Sequence, residues 1–503
     1  MDQLSSLDAA FLALESSTQP AHVASLAIYG VPEGAEDSVF PALCRTLAPR
    51  IAALPLLRRR LVEVPFGLDR PYWAEDPRFD LDFHLRHISV PPPGRDPQLA
   101  ELVARIHGQP LDRTRPLWEM YVIEGLEQNR FAIYTKLHHA AVDEMGAMDL
   151  ITALADGAPA AESAVAPSGS EARFPGAVEM LARGLLGAAR RPRRMLASGL
   201  RTAVAAAGGR SFGGLATASG LLALAHSAGL GRVPGLYRAL SLEAGERGEE
   251  SCALPSEPAP HTPWNRGISA HRRWTGATVS IHDVNRVRRA FLVTLNDVVL
   301  AITSHALRTY LAERDALPSD PMIAMVPVSL RAEGESRARG NRVAMALSDL
   351  ATDEADPVAR LLRIHRAMAA AKELYEGVPA RVLEDLGRIG AYLVAGPAGR
   401  ALARSGLAER VRPPFNLTVS NVRGPRAELS LGGAPLNALY PLSLVAEGQG
   451  LNATVVSYRN RLHFGLTVCR DLVPDVADLA RGLGEGLEIL CKLADASAAT
   501  IED

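Results

Sequence analysis

The stretch Lys136-Leu-His138-His139-Ala-Ala-Val-Asp143-Glu144-Met-Gly146 sets two imidazoles beside a carboxylate. An imidazole of ordinary pKa, near ~6.5, keeps a neutral nitrogen at working pH and takes a proton from a hydroxyl or a thiol. Three chemistries fit these residues. Both histidines serve as satisfied structural groups. Alternatively His139 and Asp143, at i, i+4 spacing, ligate a metal, although no H-E-x-x-H pattern and no further ligand cluster accompanies them. In the third, one histidine is a general base and the aspartate holds the local geometry.

Residues Phe131 to Leu137 (FAIYTKL) predict a strand that ends at the histidines, and Met145, Met148, Leu150 and Ile151 predict a helix after Asp143. Successive side chains on a strand point to opposite faces, so at most one of the two histidines faces a given cleft. Further strands are expected at Ala21 to Tyr29 and Trp118 to Leu126, the latter joined to the histidine strand by a hairpin loop at Glu127 to Arg130. Helices are expected from Asp37 to Ala48 and from Pro97 to His107. Beyond residue 261, Ala277 to Ile281 leads into a helix and Thr294-Leu-Asn-Asp opens a long one, with Val298, Ala301, Ile302, His305, Ala306 and Tyr310 at helical spacing. Strands recur at Met322 to Val328, Phe415 to Ser420, Leu451 to Ser457 and Leu462 to Val468, the last two joined by a tight turn at Tyr458 to Arg461. This texture divides the chain into 1–155, a middle zone 156–260, and 261–503, the outer two being α/β or α+β sandwiches with mixed sheets.

With 503 residues, 48% hydrophobic and 22% charged, the chain has room for several packed cores, which excludes disordered, collagenous and disulfide-scaffold classes. Cys44, Cys252, Cys469 and Cys491 are scattered without metal-ligand spacing, and the N-terminus lacks the basic region of a signal peptide, so a cytoplasmic setting is expected. Net charge is -2, yet nine arginines and no acid lie between Leu181 and Leu242. Aromatics make up only 5% and no nucleic-acid-binding signature accompanies the arginines, so no nucleic-acid partner is expected. In the middle zone Leu181, Leu185 and Ala188 share one helix face and Arg183 and Arg190 another, before Pro192 interrupts. Such a basic amphipathic stretch either lies in a membrane interface or is a linker packed on its own protein. The uncharged run Ser211 to Gly231 is broken by glycines, Ser/Thr and His226, which argues against a spanning helix and leaves peripheral contact.

His138-His139-x-x-x-Asp143 resembles the HHxxxDG motif of the CoA-dependent acyltransferase superfamily. Its neighbours narrow the choice. Leu4-Ser-Ser-Leu-Asp8-Ala-Ala-Phe11-Leu-Ala-Leu-Glu15, Pro20-Ala-His22-Val, Arg115-Pro116-Leu117-Trp118, Asn296-Asp297, Val326-Pro327-Val328-Ser329-Leu330-Arg331, Val419-Ser420-Asn421-Val422-Arg423-Gly424-Pro425, Ser457-Tyr458 and Phe464-Gly465-Leu466 stand in the order of the bacterial wax ester synthase / acyl-CoA:diacylglycerol acyltransferase family. The resemblance implies two chloramphenicol-acetyltransferase-like sandwich domains joined by a helical linker, with a catalytic tunnel between them. It implies an O-acyltransferase that moves a long fatty acyl group from acyl-CoA to a fatty alcohol or a diacylglycerol, at a peripheral membrane or lipid-droplet surface. Acyl-CoA is then a substrate, and no cofactor or metal is implied. His139 would be the base, acting without an acyl-enzyme, beside His138, with Asp143 architectural. Pro116, Leu117, Trp118, Asn296, Asp297, Ser420, Asn421, Gly424 and Pro425 would lie near the tunnel or its supports.

Glu144 stands where the family motif has glycine, and Gly146 follows two residues on. A glutamate enters mirror regions of backbone space only at a cost, and its charge raises the pKa of a nearby imidazole. Two alternatives follow: the same fold with a natural-product acceptor, or a lipid-binding protein whose catalysis is impaired through Glu144. Read alone, Asn296-Asp297 is a favourable first helical turn, Arg423-Gly424-Pro425 a turn, and Trp118 a core aromatic.

Overall fold

Strand β2 (His22–Gly30) and its neighbour β7 (Arg130–His138) are buried along almost their whole length rather than on alternate residues. That pattern belongs to strands covered on both faces, and here both faces are covered. On one side pack α2 (Phe40–Ala52) and α5 (Glu144–Leu154), through Leu43, Leu47, Ile51, Met148 and Ile151. On the other lies α4 (Asp96–His107), through Leu99, Val103 and Ile106. In the computed structural model, residues 1–32, 34, 38–142, 144–157, 174–176, 178–186, 258–329, 343–376 and 412–502 are described.

Three sheets organise these residues. The first has the order β12 (Ser430–Leu431), β13 (Ala434–Leu442), β2, β7, β6 (Trp118–Leu126), β5 (Leu85–Ser89), with β5 parallel to β6 and the other pairs antiparallel. The second has the order β10 (Val343–Asp349), β9 (Ile323–Ser329), β11 (Leu417–Val422), β14 (Leu451–Tyr458), β15 (Arg461–Cys469), β8 (Arg272–Ser280), in which β11 runs parallel to both β9 and β14. Helices Ile281–Phe291, Leu295–Ala312, Pro357–Glu376 and Val476–Glu502 cover it, sharing one core with Val298, Ile302, Leu361, Phe464 and Leu483. A small antiparallel sheet, β1 (Asp2–Gln3), β4 (Tyr72–Glu75) and β3 (Arg59–Val62), closes the N-terminal end.

The strand assignments read from composition agree closely with these elements, and the turn expected at Tyr458 to Arg461 joins β14 to β15 (Arg461–Cys469). The division at residue 261 is crossed by the chain itself. After β11 it leaves the second sheet and builds β12 (Ser430–Leu431) and β13 (Ala434–Leu442), which pair with β2 in the first. Asp156, just past α5, pins this excursion: its carboxylate accepts from Gly432 N at 3.0 Å and Gly433 N at 2.9 Å while pairing with Arg50 at 2.9 Å. The two sheets touch where Pro441 of β13 meets Gly465 of β15. A Cβ on Gly465 would sit 1.7 Å from the Pro441 carbonyl oxygen, so only glycine admits this approach.

A helix runs over 178–186, but it docks on the β3–β4 hairpin through Met180 and Gly184 rather than through Leu181 and Leu185. The small Gly184 lets the helix backbone approach Val64 and Leu68, and this turns Val178, Leu185 and Leu186 outward. Ala188, Arg190, Pro192 and the run Ser211 to Gly231 lie outside the described residues.

Candidate active site

β7 ends at His138, and the chain then turns toward α5. The turn is tied at three points: His138 N donates to Leu117 O at 3.0 Å, His139 N to Ala21 O at 2.9 Å, and Ala141 N to His138 O at 2.9 Å. Strand alternation then separates the two rings. His138 is wholly buried, its Nδ1 accepting the Ala140 N–H at 3.0 Å, while its Nε2 faces Glu15 Oε2 at 3.6 Å. His139 is only half-buried, and its ring stacks on Phe11 of α1 (Ser6–Leu14) with centroids 3.9 Å apart and planes 11° from parallel.

Behind His138 the β2–β7 face is a layer of buried polar groups. His22, the register partner of His138, donates through Nε2 to His107 O at 2.8 Å, and burial pushes its pKa down. His107 bonds the Tyr134 hydroxyl at 2.8 Å, and burial takes its pKa down to about 3. Lys136 is buried against Glu119 at 3.0 Å; burial pushes its pKa down while the carboxylate opposes the shift. Glu15 behaves oppositely. Burial alone would raise its pKa, but His138 and Arg113 outweigh it and hold the carboxyl at about 2.

Two cavities flank the histidine turn. One is lined by Leu56, Leu57, Trp73, Leu117, Leu137 and Ala141, with Arg59 among its walls. The other lies where the two sheets meet, between Val23 and Ala24 of β2, Met148 of α5, Val422 of β11, Leu442 of β13 and Val456 of β14. Both linings are mainly apolar side chains, which suits long hydrocarbon better than a polar metabolite.

The structure brings some expected residues to the turn and leaves others apart. Leu117 and Trp118 support it directly, and the Pro116 carbonyl accepts from Trp118 N at 2.9 Å. Leu117 O receives His138 N, Trp118 pairs in register with Leu137, and the buried Trp118 indole donates to Leu57 O at 2.7 Å. Trp118 is therefore both the core aromatic and the backing of the histidine strand. Ser420 and Asn421 lie near the end of β11, Gly424 and Pro425 lie in the crossover from the second sheet to the first, and Ser457-Tyr458 anchors it. Gly424 N donates to Ser457 Oγ at 3.2 Å and Leu429 N to the Tyr458 hydroxyl at 2.9 Å. A Cβ at Gly424 would meet Ser457 O at 1.9 Å, so this glycine is required by close approach rather than by a positive φ. Asn296 and Asp297 belong to the helix layer of the second sheet. There Asp297 forms a capping box with Thr294 and accepts from His365 Nδ1 at 2.7 Å. Glu144 opens α5 in helical conformation and Gly146 lies within that helix, so an L-residue is accommodated at the motif's glycine position. Asp143 and the side chain of Glu144 lie outside the described residues.

Glu15, Phe11 and Arg113 complete the surroundings of the histidines and carry no catalytic motif of their own. The available signal was a lone acid closing the otherwise apolar segment Ala9 to Leu14.

A histidine pair at the end of an inner strand, with a crossover into a second mixed sheet of six strands, is a fold shared with condensation domains. The first condensation domain of the CDA synthetase shares this fold with a TM-score of 0.52 at 16% identity, covering 98% of this chain and 95% of that one. Within that class, the wax ester synthase/diacylglycerol acyltransferase catalytic domain matches residues 4–299, and the C-terminal domain of the same family matches 339–491. The chain belongs to this family. It is 34% identical over 492 residues to the O-acyltransferase WSD of Acinetobacter baylyi, covering 97% of each chain. It is also similar to the wax ester synthase/diacylglycerol acyltransferase of Marinobacter aquaeolei, with a TM-score of 0.68 and 28% identity over 98% of this chain and all of that one.

Proposed function

We propose that this acyltransferase moves a long fatty acyl group from acyl-CoA to the hydroxyl of a fatty alcohol or diacylglycerol, with His139 as the general base. The observation that carries this reading is the contrast between the histidines: His138, the last residue of β7, is wholly buried, while His139 is half-buried just past it, and Leu137 and Ala141, two residues to either side, line one of the apolar cavities. The imidazole takes the acceptor O–H proton as the oxygen attacks the thioester carbonyl carbon. The C–S bond then breaks and the proton passes to the departing CoA sulfur, so the histidine ends neutral. Phe11 against one ring face holds the imidazole orientation during both transfers.

Purified protein given palmitoyl-CoA with hexadecanol or dioleoylglycerol is expected to release CoA thiol and form the ester, and His139→Ala to lose about a hundredfold or more of that rate. Retention of most turnover by His139→Ala would overturn the assignment of the base. Thiol release only with amines or hydroxylated natural products would move the acceptor outside lipids.

A lipid surface suits the same reading. Among the described residues no single helix is long and apolar enough to cross a membrane, so contact would be peripheral. Phe66, 89% exposed at the tip of the β3–β4 hairpin, and Val178, 83% exposed on the adjoining helix, offer apolar groups for insertion, with Leu185 and Leu186 beside Val178. In this arrangement Phe66→Asp with Leu185→Asp weakens sedimentation with anionic liposomes while leaving activity on detergent-dispersed acceptor intact. Undiminished sedimentation would sink the surface assignment.

A further inference from the structure

Helix α1 reaches the histidine turn at two places. Phe11 lies on the ring of His139, and Glu15, the C-cap residue, brings its carboxylate to 3.6 Å from His138 Nε2. That carboxylate is gripped from other directions as well. Arg113 donates to Oε2 through Nε at 2.8 Å and Nη2 at 2.6 Å, and Ala21 N–H donates to Oε1 at 3.3 Å. The Ala21 carbonyl in turn accepts from His139 N at 2.9 Å, so a single residue connects the carboxylate to the backbone of His139. Arg113 also donates to Leu12 O at 2.7 Å, which binds the arrangement to α1.

An acid whose side chain is only 6% exposed persists in the folded state because its partners compensate its lost hydration. The partner relevant to catalysis is His138. Its Nδ1 already accepts the Ala140 N–H, so the proton of the neutral ring resides on Nε2, pointing at Glu15.

We propose that Glu15 is a positioning residue for acyl transfer: together with the Ala140 N–H it favours the Nε2–H tautomer of His138 and, through the Ala21 peptide, it sets the backbone of His139 at the end of β7. The kinetic consequence rests on the reading of His139 as base, whereas the tautomer does not.

The test uses the full chain labelled with 15N-histidine, His138 being assigned by signals lost in His138→Gln. Wild type shows His138 as the Nε2–H tautomer, and Glu15→Gln shows a mixture or the Nδ1–H form. With palmitoyl-CoA and hexadecanol, Glu15→Gln lowers kcat by about tenfold to a hundredfold and leaves the KM for palmitoyl-CoA nearly unchanged, because orientation rather than binding is lost. Glu15→Asp restores part of the turnover. Melting midpoints on the same samples separate these effects from loss of fold, and if Glu15→Gln does not fold, Glu15→Asp carries both comparisons. An unchanged kcat with an intact melt, a loss confined to KM, or an Nδ1–H tautomer in wild type overturns the proposal. A wild type that transfers no acyl group sinks the acyl-transfer reading instead, and the tautomer signals still decide the role of Glu15.

Discussion

His138 and His139 are neighbours in the chain and opposites in environment because a strand turns consecutive side chains to opposite faces. One ring is committed to Ala140 and Glu15, and the other is left half-open against Phe11. The stacked pair contributes about 1 kcal/mol. Phe11→Ala is therefore expected to lower stability by that order in urea melts, and to reduce turnover more than this loss suggests, since the His139 ring then loses its stacked face. Equal losses in the two measurements would remove any orienting role from Phe11. Glu15 adds a pH signature. Its carboxyl, ordinarily near 4.5, is held at about 2 in the fold despite burial, by His138 and Arg113. A carboxyl depressed in the folded state contributes stability that is complete above its unfolded pKa and fades as pH falls toward the folded one. Wild type should thus lose stability between about pH 4.5 and 2 more steeply than Glu15→Gln, as read from urea midpoints; parallel curves would contradict the pairing.

At the scale of elements, the crossover from β11 to β12 carries most of the constraint. Gly424 lies against the Ser457 carbonyl, and nothing larger than hydrogen fits. Gly424→Ala must push β11 and β14 apart, costing about 1–3 kcal/mol by overpacking; a melt unchanged from wild type would show that the segment yields freely. Helix Leu295–Ala312 begins with a different device. Thr294 Oγ1 takes Asp297 N, and the Asp297 carboxylate returns to Thr294 N while holding His365. Thr294→Ala removes half of this box at about 1 kcal/mol. Asp297→Ala should cost more because it also strips the partner from His365, and thermal melts of the two variants rank the effects. These residues act on the helix layer, so their expected influence on activity runs through stability.

At the scale of the molecule, β13 makes the two halves one folding unit. Residues 434–442 belong by sequence to the C-terminal half and by hydrogen bonding to the N-terminal sheet, with Pro441 set against Gly465. Urea unfolding followed by tryptophan fluorescence and by far-ultraviolet circular dichroism should therefore coincide in one transition, and two separated transitions would refute this coupling. The pH response belongs to the same scale. Burial holds His107 at about 3 and His463 at about 4, against 6.5 when exposed. The unfolded chain binds protons that the folded one refuses, so stability should fall as pH drops below about 6.5. The strands around β6 and β7, the helix-opening Thr294 and the histidine pair were legible in the sequence because each rests on local rules: period, capping preference and motif spacing. The motif order carried the family as well. Glu15 was not legible as a partner of His138, nor Gly424 and Gly465 as contact points, nor Met180 and Gly184 as the docked face of their helix. Each of those depends on which distant backbone comes within a few ångströms, and that is settled only when the two sheets and their crossover close around one another.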